Sequence, residues 1–388
     1  MESGEKNSLK VGENKRKQVL FIAVCALGLG FYVSQGFLYT WQALRLEKYF
    51  SDLYVYIDWI KNGVKMYSLA EDTMAAAYHL GGEAGVGVLL ALFCLASWGL
   101  SYLVLKKLTD GECPEWLLLL SALLSQLAFT AYIPGRAFYK GLNLTVNNFH
   151  SPTYNQMEPF SIAAMLCAFT VLKDLRGRPE GKRILVFAAC CTLATLMKPS
   201  FLFCMAPALL VFLIIDFIIT RARNIKNEVL VGICVLPGVA AALYQSTLLF
   251  DENSKIVFAP VLNWLTNGMG LAEGFPRAGV FVLAALLLYG GKYLKKHWFG
   301  FSYAVCAVGA AEYVCLMETG DRAEHGNLAW SAQIGLFLAL LAGIAVVLRE
   351  RKNKKDVRLW LCTALLLWQV ISGVLYYAKV FSGTGFWI

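Results

Sequence analysis

The sequence predicts an all-α, polytopic integral membrane protein with about 11 transmembrane helices. Hydrophobic residues make up 58% of the chain and charged residues 16%, whereas a soluble globular chain has about 25% charged residues. The apolar residues also fall in long unbroken blocks, such as 19–39, 85–105 and 328–348. A helix of about 20 residues crosses the hydrocarbon core of a bilayer. Because these blocks lack the alternation of barrel strands, we expect helices.

The apolar blocks define the expected spans in chain order. They lie near 18–40, 84–105, 115–134, 156–173, 184–197, 200–220, 228–249, 277–294, 299–317, 327–348 and 359–380. The short block 184–197 is separated from 200–220 by Lys198 and Pro199. We treat these blocks as two helices, because one merged helix would put the basic 349–358 link and the basic N-terminal tail on opposite sides of the membrane.

The basic residues predict the orientation of the chain. Roughly two thirds of the 35 Lys and Arg residues lie in the N-terminal tail and in alternate links. These links are near 106–114, 173–183, 221–227, 292–298 and 349–358. Basic loops stay in the cytoplasm, so we expect a multi-pass protein of the cell membrane with a cytoplasmic N-terminus and its C-terminus outside. The net charge of +9 therefore indicates membrane topology, with membrane lipids and no nucleic acid as partners.

We expect one membrane domain, 18–388, after a disordered cytoplasmic tail, 1–17. The expected outer loops are 41–83, 135–155, 250–276 and 318–326. In the first loop, apolar residues at helical spacing predict an amphipathic helix in the outer interface. These residues are Phe50, Leu53, Tyr54, Ile57, Ile60 and Val64. Asp52, Tyr56 and Trp59 fall on its opposite, polar face.

The eleven cysteines lie mostly within the apolar blocks and form no CxxC pair. A disulfide framework or a zinc site is therefore not expected, and the thiols are interpreted as small buried hydrophobic groups.

Two candidate residues lie in the first two outer loops. Asp52 could act as a general base or bind a metal; alternatively, it is a solvated charge on the amphipathic helix. His150 lies in the polar segment 147–154, ahead of Glu158 and Pro159. It could donate to a phosphate or shuttle a proton, or the segment is only a helix-entry turn with a proline in the first helical turn.

Two further candidates follow along the chain. Lys198, between two apolar runs, should face protein, water or an anion such as a lipid phosphate; alternatively, it extends to the outer headgroups. Arg322 could bind phosphate with both guanidinium nitrogens, or it belongs to a plain loop before Trp330, an aromatic-belt anchor. Glu312 is unusual inside a span, and it could pair with an arginine or line a cavity.

Four short motifs together resemble the GT-C superfamily of membrane glycosyltransferases, including bacterial multi-span proteins of this type. The motifs are Ser51-Asp52-Leu53, the His-Ser-Pro-Thr-Tyr turn at 150–154 with Glu158-Pro159-Phe160, Lys198-Pro199-Ser200-Phe201, and His325-Gly326-Asn327 with Trp330. The resemblance covers most of the chain in layout, including a large first outer loop, and the motifs are short.

The resemblance implies transfer of a sugar, with inversion, from a polyprenyl-phosphate carrier to a glycan, lipid or protein acceptor in the cell envelope. Asp52 would be the catalytic base. The residues expected to bind substrate or phosphate are His150, Tyr154, Glu158, Lys198, Arg322, His325 and Asn327. Some members bind a divalent metal, Mg or Mn, through an Asp-x-Asp pair; here Tyr54 takes the second position, which leaves metal dependence open.

Three alternatives remain open at this point. A flippase or transporter of lipid-linked sugars would place coupling charges near the bilayer midplane on repeated, broken helices. The chain shows no repeat, and Lys198 and Glu312 are the residues that favour this alternative. A polymerase or ligase of surface polysaccharide would share the outer site, and an acyl-transfer enzyme would use His150.

Overall fold

Helices make up almost all of the regular structure. The computed structural model describes residues 2–64, 67–138, 144–177, 179–249, 255–320 and 326–384, without the side chains of 2–13, 249 and 262–271. The elements are α1 (Glu2–Leu44), α2 (Asp52–Lys61), α3 (Leu69–Leu108), α4 (Glu115–Leu127), α5 (Pro152–Lys173), α6 (Gly181–Met197), α7 (Ser200–Thr220), α8 (Ile225–Ile233), α9 (Leu236–Leu249), β1 (Ile256–Phe258), α10 (Pro260–Tyr293), α11 (His297–Cys315), β2 (Leu316–Glu318), α12 (Ala329–Glu350) and α13 (Val357–Ser382).

Within the described residues, 8 helical stretches are long and apolar enough to cross a membrane. They lie in α1, α3, α7, α8 with α9, α10, α11, α12 and α13. The chain is therefore a multi-pass, all-helical membrane protein. The three other expected spans also form helices, but α4 has 13 residues and α6 has 17, and α5 is more polar. The count of about 11 spans stays a prediction.

Two expected segments have different ends in the structure. Helix α1 begins at Glu2, so the tail predicted to be disordered is helical. Helix α4 ends at Leu127 rather than near 134. The chain leaves the helix there because neighbouring elements satisfy its next backbone groups: Phe129 N–H donates to the Gln369 carbonyl at 3.1 Å, and Ala131 N–H donates to the Arg277 carbonyl at 3.1 Å.

Two expected outer loops contain more regular structure than predicted. The 41–83 segment holds α2 and the first turns of α3, which breaks at Gly81 and Gly82 before the apolar stretch begins. Gly82 has φ 60° and ψ −150°, a conformation open almost only to glycine. In the 250–276 segment, α10 begins at Pro260, and β1 pairs antiparallel with β2, with Val257 opposite Met317.

Helix α2 is amphipathic, but its buried face differs from the predicted one. Leu53, Ile57 and Ile60 are buried, as expected. Of the other predicted apolar residues, Phe50 is 48%, Tyr54 37% and Val64 45% exposed. Relative to the prediction, the helix is rotated about its axis: the side that carries Asp52 and Tyr56, predicted to be the polar face, turns towards the protein.

The basic links meet at one end of the bundle. Arg349 bonds to Asp110 at 2.6 Å, Lys292 to Glu350 and Lys107 to Thr170. Asn227 reaches the 175 and 177 carbonyls at 2.9 Å. The separation of α6 from α7 at Lys198 is confirmed, and it lets the links on both sides of this pair lie at the same end.

Two helices occupy the centre of the molecule. In the apolar 18-residue stretch of α12 that could cross the membrane, 94% of the residues are buried inside the protein. The first turns of α5, 152–159, are buried on every side although most of their residues are polar. Both helices have their N-terminal ends away from the basic links, which is where the candidate residues gather.

Candidate functional site

Lys198 is the residue around which the predicted candidates meet. It follows α6 in an extended conformation, and Pro199 is the N-cap residue of α7. The Lys198 ammonium donates to Thr153 Oγ1 at 3.2 Å. It also lies 4.9 Å from the centre of the Trp330 ring, a cation–π contact. Lys198 therefore faces protein at the end of the bundle opposite the basic links and joins α5, α6 and α12.

Asp52 lies near this ammonium at the start of α2. Ser51 caps the helix by accepting a hydrogen bond from the Leu53 N–H at 3.2 Å, which fixes the first turn. Burial raises the pKa of Asp52 from 3.8 to about 6, and the charge of Lys198 partly opposes the shift. A carboxylate with a pKa close to neutral combines a large deprotonated fraction with useful basicity. One turn later, the Tyr56 side chain lies beside Thr153.

His150 lies in a fixed turn before α5, as the sequence predicts. The Asn148 side chain accepts hydrogen bonds from the Ser151 N–H at 2.9 Å and the His150 N–H at 3.4 Å. The imidazole is 3% exposed, and its ring lies 6.1 Å from that of Trp330. Burial, followed by the Lys198 charge, lowers the pKa of His150 to about 3. The ring is therefore neutral near neutral pH, so it can donate a hydrogen bond but supplies no positive charge.

Beside Lys198 lies a cavity of about 110 Å³. Its walls come from α2, α3, α5, α6, α7, α9, β1, β2 and the turn before α12. The polar residues on them include Tyr56, Tyr67, Ser68, Glu71, Thr153, Lys198, Gln245, Glu318 and Asn327. Drug-sized ligands occupy pockets of about 300–1,000 Å³. The described cavity therefore fits a small polar group, such as a phosphate or part of a sugar ring.

Two polar residues of the cavity wall are held in place by their neighbours. Glu71 closes a capping box: its Oε2 accepts from the Tyr67 and Ser68 N–H groups at 2.9 and 3.1 Å. Asn327 donates to Glu318 Oε2 at 2.8 Å. Side chains fixed in this way recognise a ligand without first losing rotamer freedom.

Tyr154 and Glu158 lie deeper along α5 and do not line the cavity. Tyr154 is 1% exposed and packs its ring 5.5 Å from that of Trp330. Glu158, one turn further, is 3% exposed and approaches Gln126 of α4. Tyr154 thus supports the wall behind Trp330, and Glu158 is separate from the residues around Lys198. Their assignment to substrate binding stays a prediction.

Two predicted site residues, Arg322 and His325, lie outside the described residues. The described part of the chain brings no three His, Cys, Asp or Glu side chains together in a way that could hold a metal. Two residues after Asp52, where an Asp-x-Asp pair would have its second carboxylate, the chain has Tyr54, which is 37% exposed. The described donor set therefore does not fit an Asp-x-Asp metal site.

Sequence reasoning missed the central position of Trp330 and Thr153. The sequence offers Trp330 either as an aromatic-belt anchor or as part of a motif, and it does not indicate that His150, Tyr154 and Lys198 all contact it. Thr153 enters the sequence analysis only as one residue of the His-Ser-Pro-Thr-Tyr turn. The available signal was its position three residues after His150, at the start of a helix whose first turns contain unusually many polar residues.

No family model, curated protein or solved structure matches this chain. The functional conclusion therefore depends on the geometry of the site together with the resemblance of its motifs.

Proposed function

We propose that the chain is a membrane glycosyltransferase that moves a sugar from a polyprenyl-phosphate carrier to an acceptor hydroxyl on the outer face. The observation that carries this proposal is that Asp52, whose pKa is raised to about 6, lies within electrostatic reach of the Lys198 ammonium, which lines a small polar cavity. Asp52 stands one turn before Tyr56, which lines the same cavity. The site lies at the end of the bundle opposite the basic links, where a carrier lipid in the outer leaflet would present its headgroup.

The reaction is a direct displacement at the anomeric carbon. The acceptor oxygen forms a bond to this carbon while the bond from the carbon to the phosphate oxygen breaks, which inverts the configuration. Asp52 takes the proton of the acceptor hydroxyl as the new bond forms. The electron pair of the broken bond leaves with the carrier phosphate.

Lys198 stabilises the charge that develops on the leaving phosphate. Thr153 and Trp330 hold its ammonium before the substrate arrives, so little reorganisation is needed as the charge forms. Neutral His150 adds no charge, and its contact with Trp330 fixes the wall behind Lys198. No step of the proposed reaction passes through a metal.

The test is transfer by purified protein in proteoliposomes, with a panel of radiolabelled polyprenyl-phosphate sugars, a panel of glycan, lipid and protein acceptors, and release of the carrier phosphate as the readout. Asp52→Asn should slow release by about 10²–10⁴-fold, the usual contribution of a general base. Asp58→Asn is the matched control, because Asp58 lies on the same helix and is exposed. Equal rates for the wild type and a folded Asp52→Asn protein would overturn the proposal.

The same assay separates the principal alternative. A flippase would carry the labelled lipid across the bilayer without releasing phosphate, and it would do so with either aspartate variant unless Asp52 also binds the headgroup. A polysaccharide polymerase or ligase would release carrier phosphate only when a glycan acceptor is present.

A further inference from the structure

Glu158 is a buried carboxyl group that the proposed reaction does not use. It lies in the core of the bundle, where α1, α3, α4 and α5 come together. Gln126 Nε2 approaches its Oε1 at 3.5 Å and also donates to Ser101 Oγ at 3.3 Å. Ser97 of α3 lies beside the carboxyl group, and the Ser97 hydroxyl is buried without a hydrogen-bond partner among the described residues.

The surroundings of Glu158 offer no compensating positive charge within the described part of the chain. The titratable groups that face it are Tyr32 and Tyr39 of α1, Cys94 of α3 and Tyr154 of α5. All are uncharged at neutral pH in their ordinary forms. From α4, the facing group is the neutral amide of Gln126. An isolated carboxylate in such a position is so unfavourable that the group takes up a proton instead.

The hydrogen bonds around Glu158 lead to the same conclusion. Carboxylates that stay ionised when buried accept two or three good hydrogen bonds, often from backbone N–H groups. Glu158 has one long amide contact and one serine hydroxyl within reach. A neutral acid fits better, because its own O–H can donate to Ser97 Oγ while Gln126 donates to the carbonyl oxygen.

We propose that Glu158 is a proton-binding site in the membrane core. In the folded protein near neutral pH, its side chain is a neutral carboxylic acid that donates to Ser97. Tyr154 lies one turn closer to Lys198 and contacts Trp330, which places Glu158 next to the wall of the outer site.

The test is infrared spectroscopy of the purified full-length protein in lipid nanodiscs at neutral pH. We expect a carbonyl band of a protonated carboxylic acid that shifts in D₂O. Glu158→Gln should remove this band, and Glu158→Asp, which keeps the acid, should move it. Glu312→Gln is the matched control: Glu312 is a partly buried acid of another membrane-spanning helix and lies beside Ser331 of α12, so its substitution should leave the Glu158 band in place.

Two results would overturn the proposal. The first is the absence of a protonated carboxylic acid band from the wild-type protein at neutral pH, a result that needs no variant. The second is a Glu158→Gln variant that loses carboxylate bands while its carbonyl band stays unchanged. Neither outcome depends on sugar transfer, so the proton site and the proposed function succeed or fail separately.

Discussion

Asp52 occupies a position that disfavours its ionised form in the folded protein. Its pKa is raised from 3.8 to about 6, so the folded state binds the Asp52 proton more tightly than the unfolded state does. Stability contributed by this proton is complete below about pH 4 and is lost as the pH rises through about 6. At neutral pH, the ionised Asp52 therefore costs the folded protein about 3 kcal/mol.

Asp52→Asn should remove this cost. We expect the variant to have a higher midpoint of thermal unfolding than the wild type at neutral pH, with a gain in unfolding free energy of up to about 3 kcal/mol. The difference should shrink as the pH falls through about 6 and vanish near pH 4. Thermal scans at a series of pH values measure it, with Asp58→Asn as the control for loss of an exposed charge from the same helix. A variant less stable than the wild type at neutral pH would contradict this account.

At the scale of single residues, the sequence indicates which side chains need a partner but not which residues provide it. Lys198 stood out because a charge between two apolar runs needs a partner. Its contacts, Thr153 and Trp330, lie far away in the chain, and nothing in local periodicity connects them. The same limit hid the hydrogen bond between Asn327 and Glu318, although both residues were in or next to a predicted outer loop.

At the scale of helices, α11 and α12 approach each other closely at Gly309. A Cβ atom added there would lie 2.5 Å from the Ser331 carbonyl oxygen and 2.8 Å from its carbon. Since both contacts are with backbone, a helix would have to move. Small residues at such crossings let membrane helices approach closely enough to pack well.

Gly309→Ala should therefore lower the free energy of unfolding by about 1–3 kcal/mol, as overpacking does. Gly291→Ala is the matched control, because an added Cβ at Gly291 in α10 would meet nothing within 4 Å. The two purified variants are compared by thermal unfolding in the same detergent. Equal midpoints for both would show that α11 and α12 can separate without cost.

Every apolar block identified in the sequence contains a helix, because the hydrocarbon core requires backbone hydrogen bonds to be satisfied locally. The ends of the helices were less predictable. Helix α4 stops early because α10 and α13 supply partners for the next backbone groups. The rotation of α2 depends on where Lys198 and Thr153 lie, which its own sequence does not contain.

At the scale of the molecule, the basic links lie together at one end, and the described end of the chain lies at the other. Gly383 is next to the Lys48 side chain, and Trp41 packs 5.1 Å from Phe381. The end of α13 therefore lies beside the end of α1. Together with the positive-inside rule, this arrangement predicts that the C-terminal end of α13 is outside.

Fusions to alkaline phosphatase, which is active only outside the cytoplasm of a bacterial host, test this orientation. We expect activity for a fusion after Ser382 and none for a fusion after Asn353, in the basic link before α13. Equal expression of the two fusions, checked by immunoblotting, is the control. The reverse pattern of activity would show that the whole molecule is inverted and that Asp52 faces the cytoplasm.

The contrast between α5 and α12 bears on how the chain enters the bilayer during synthesis. Helix α12 touches little lipid, since 94% of its apolar stretch is buried inside the protein. The mean hydropathy of this stretch, 2.3, is nevertheless among the highest of the described helices. That apolarity lets it partition into lipid alone, before its neighbours surround it. Helix α5, equally central but polar in its first turns, lacks this independence. Its entry would depend on earlier helices that already offer Gln126, Tyr39 and Thr73 as partners.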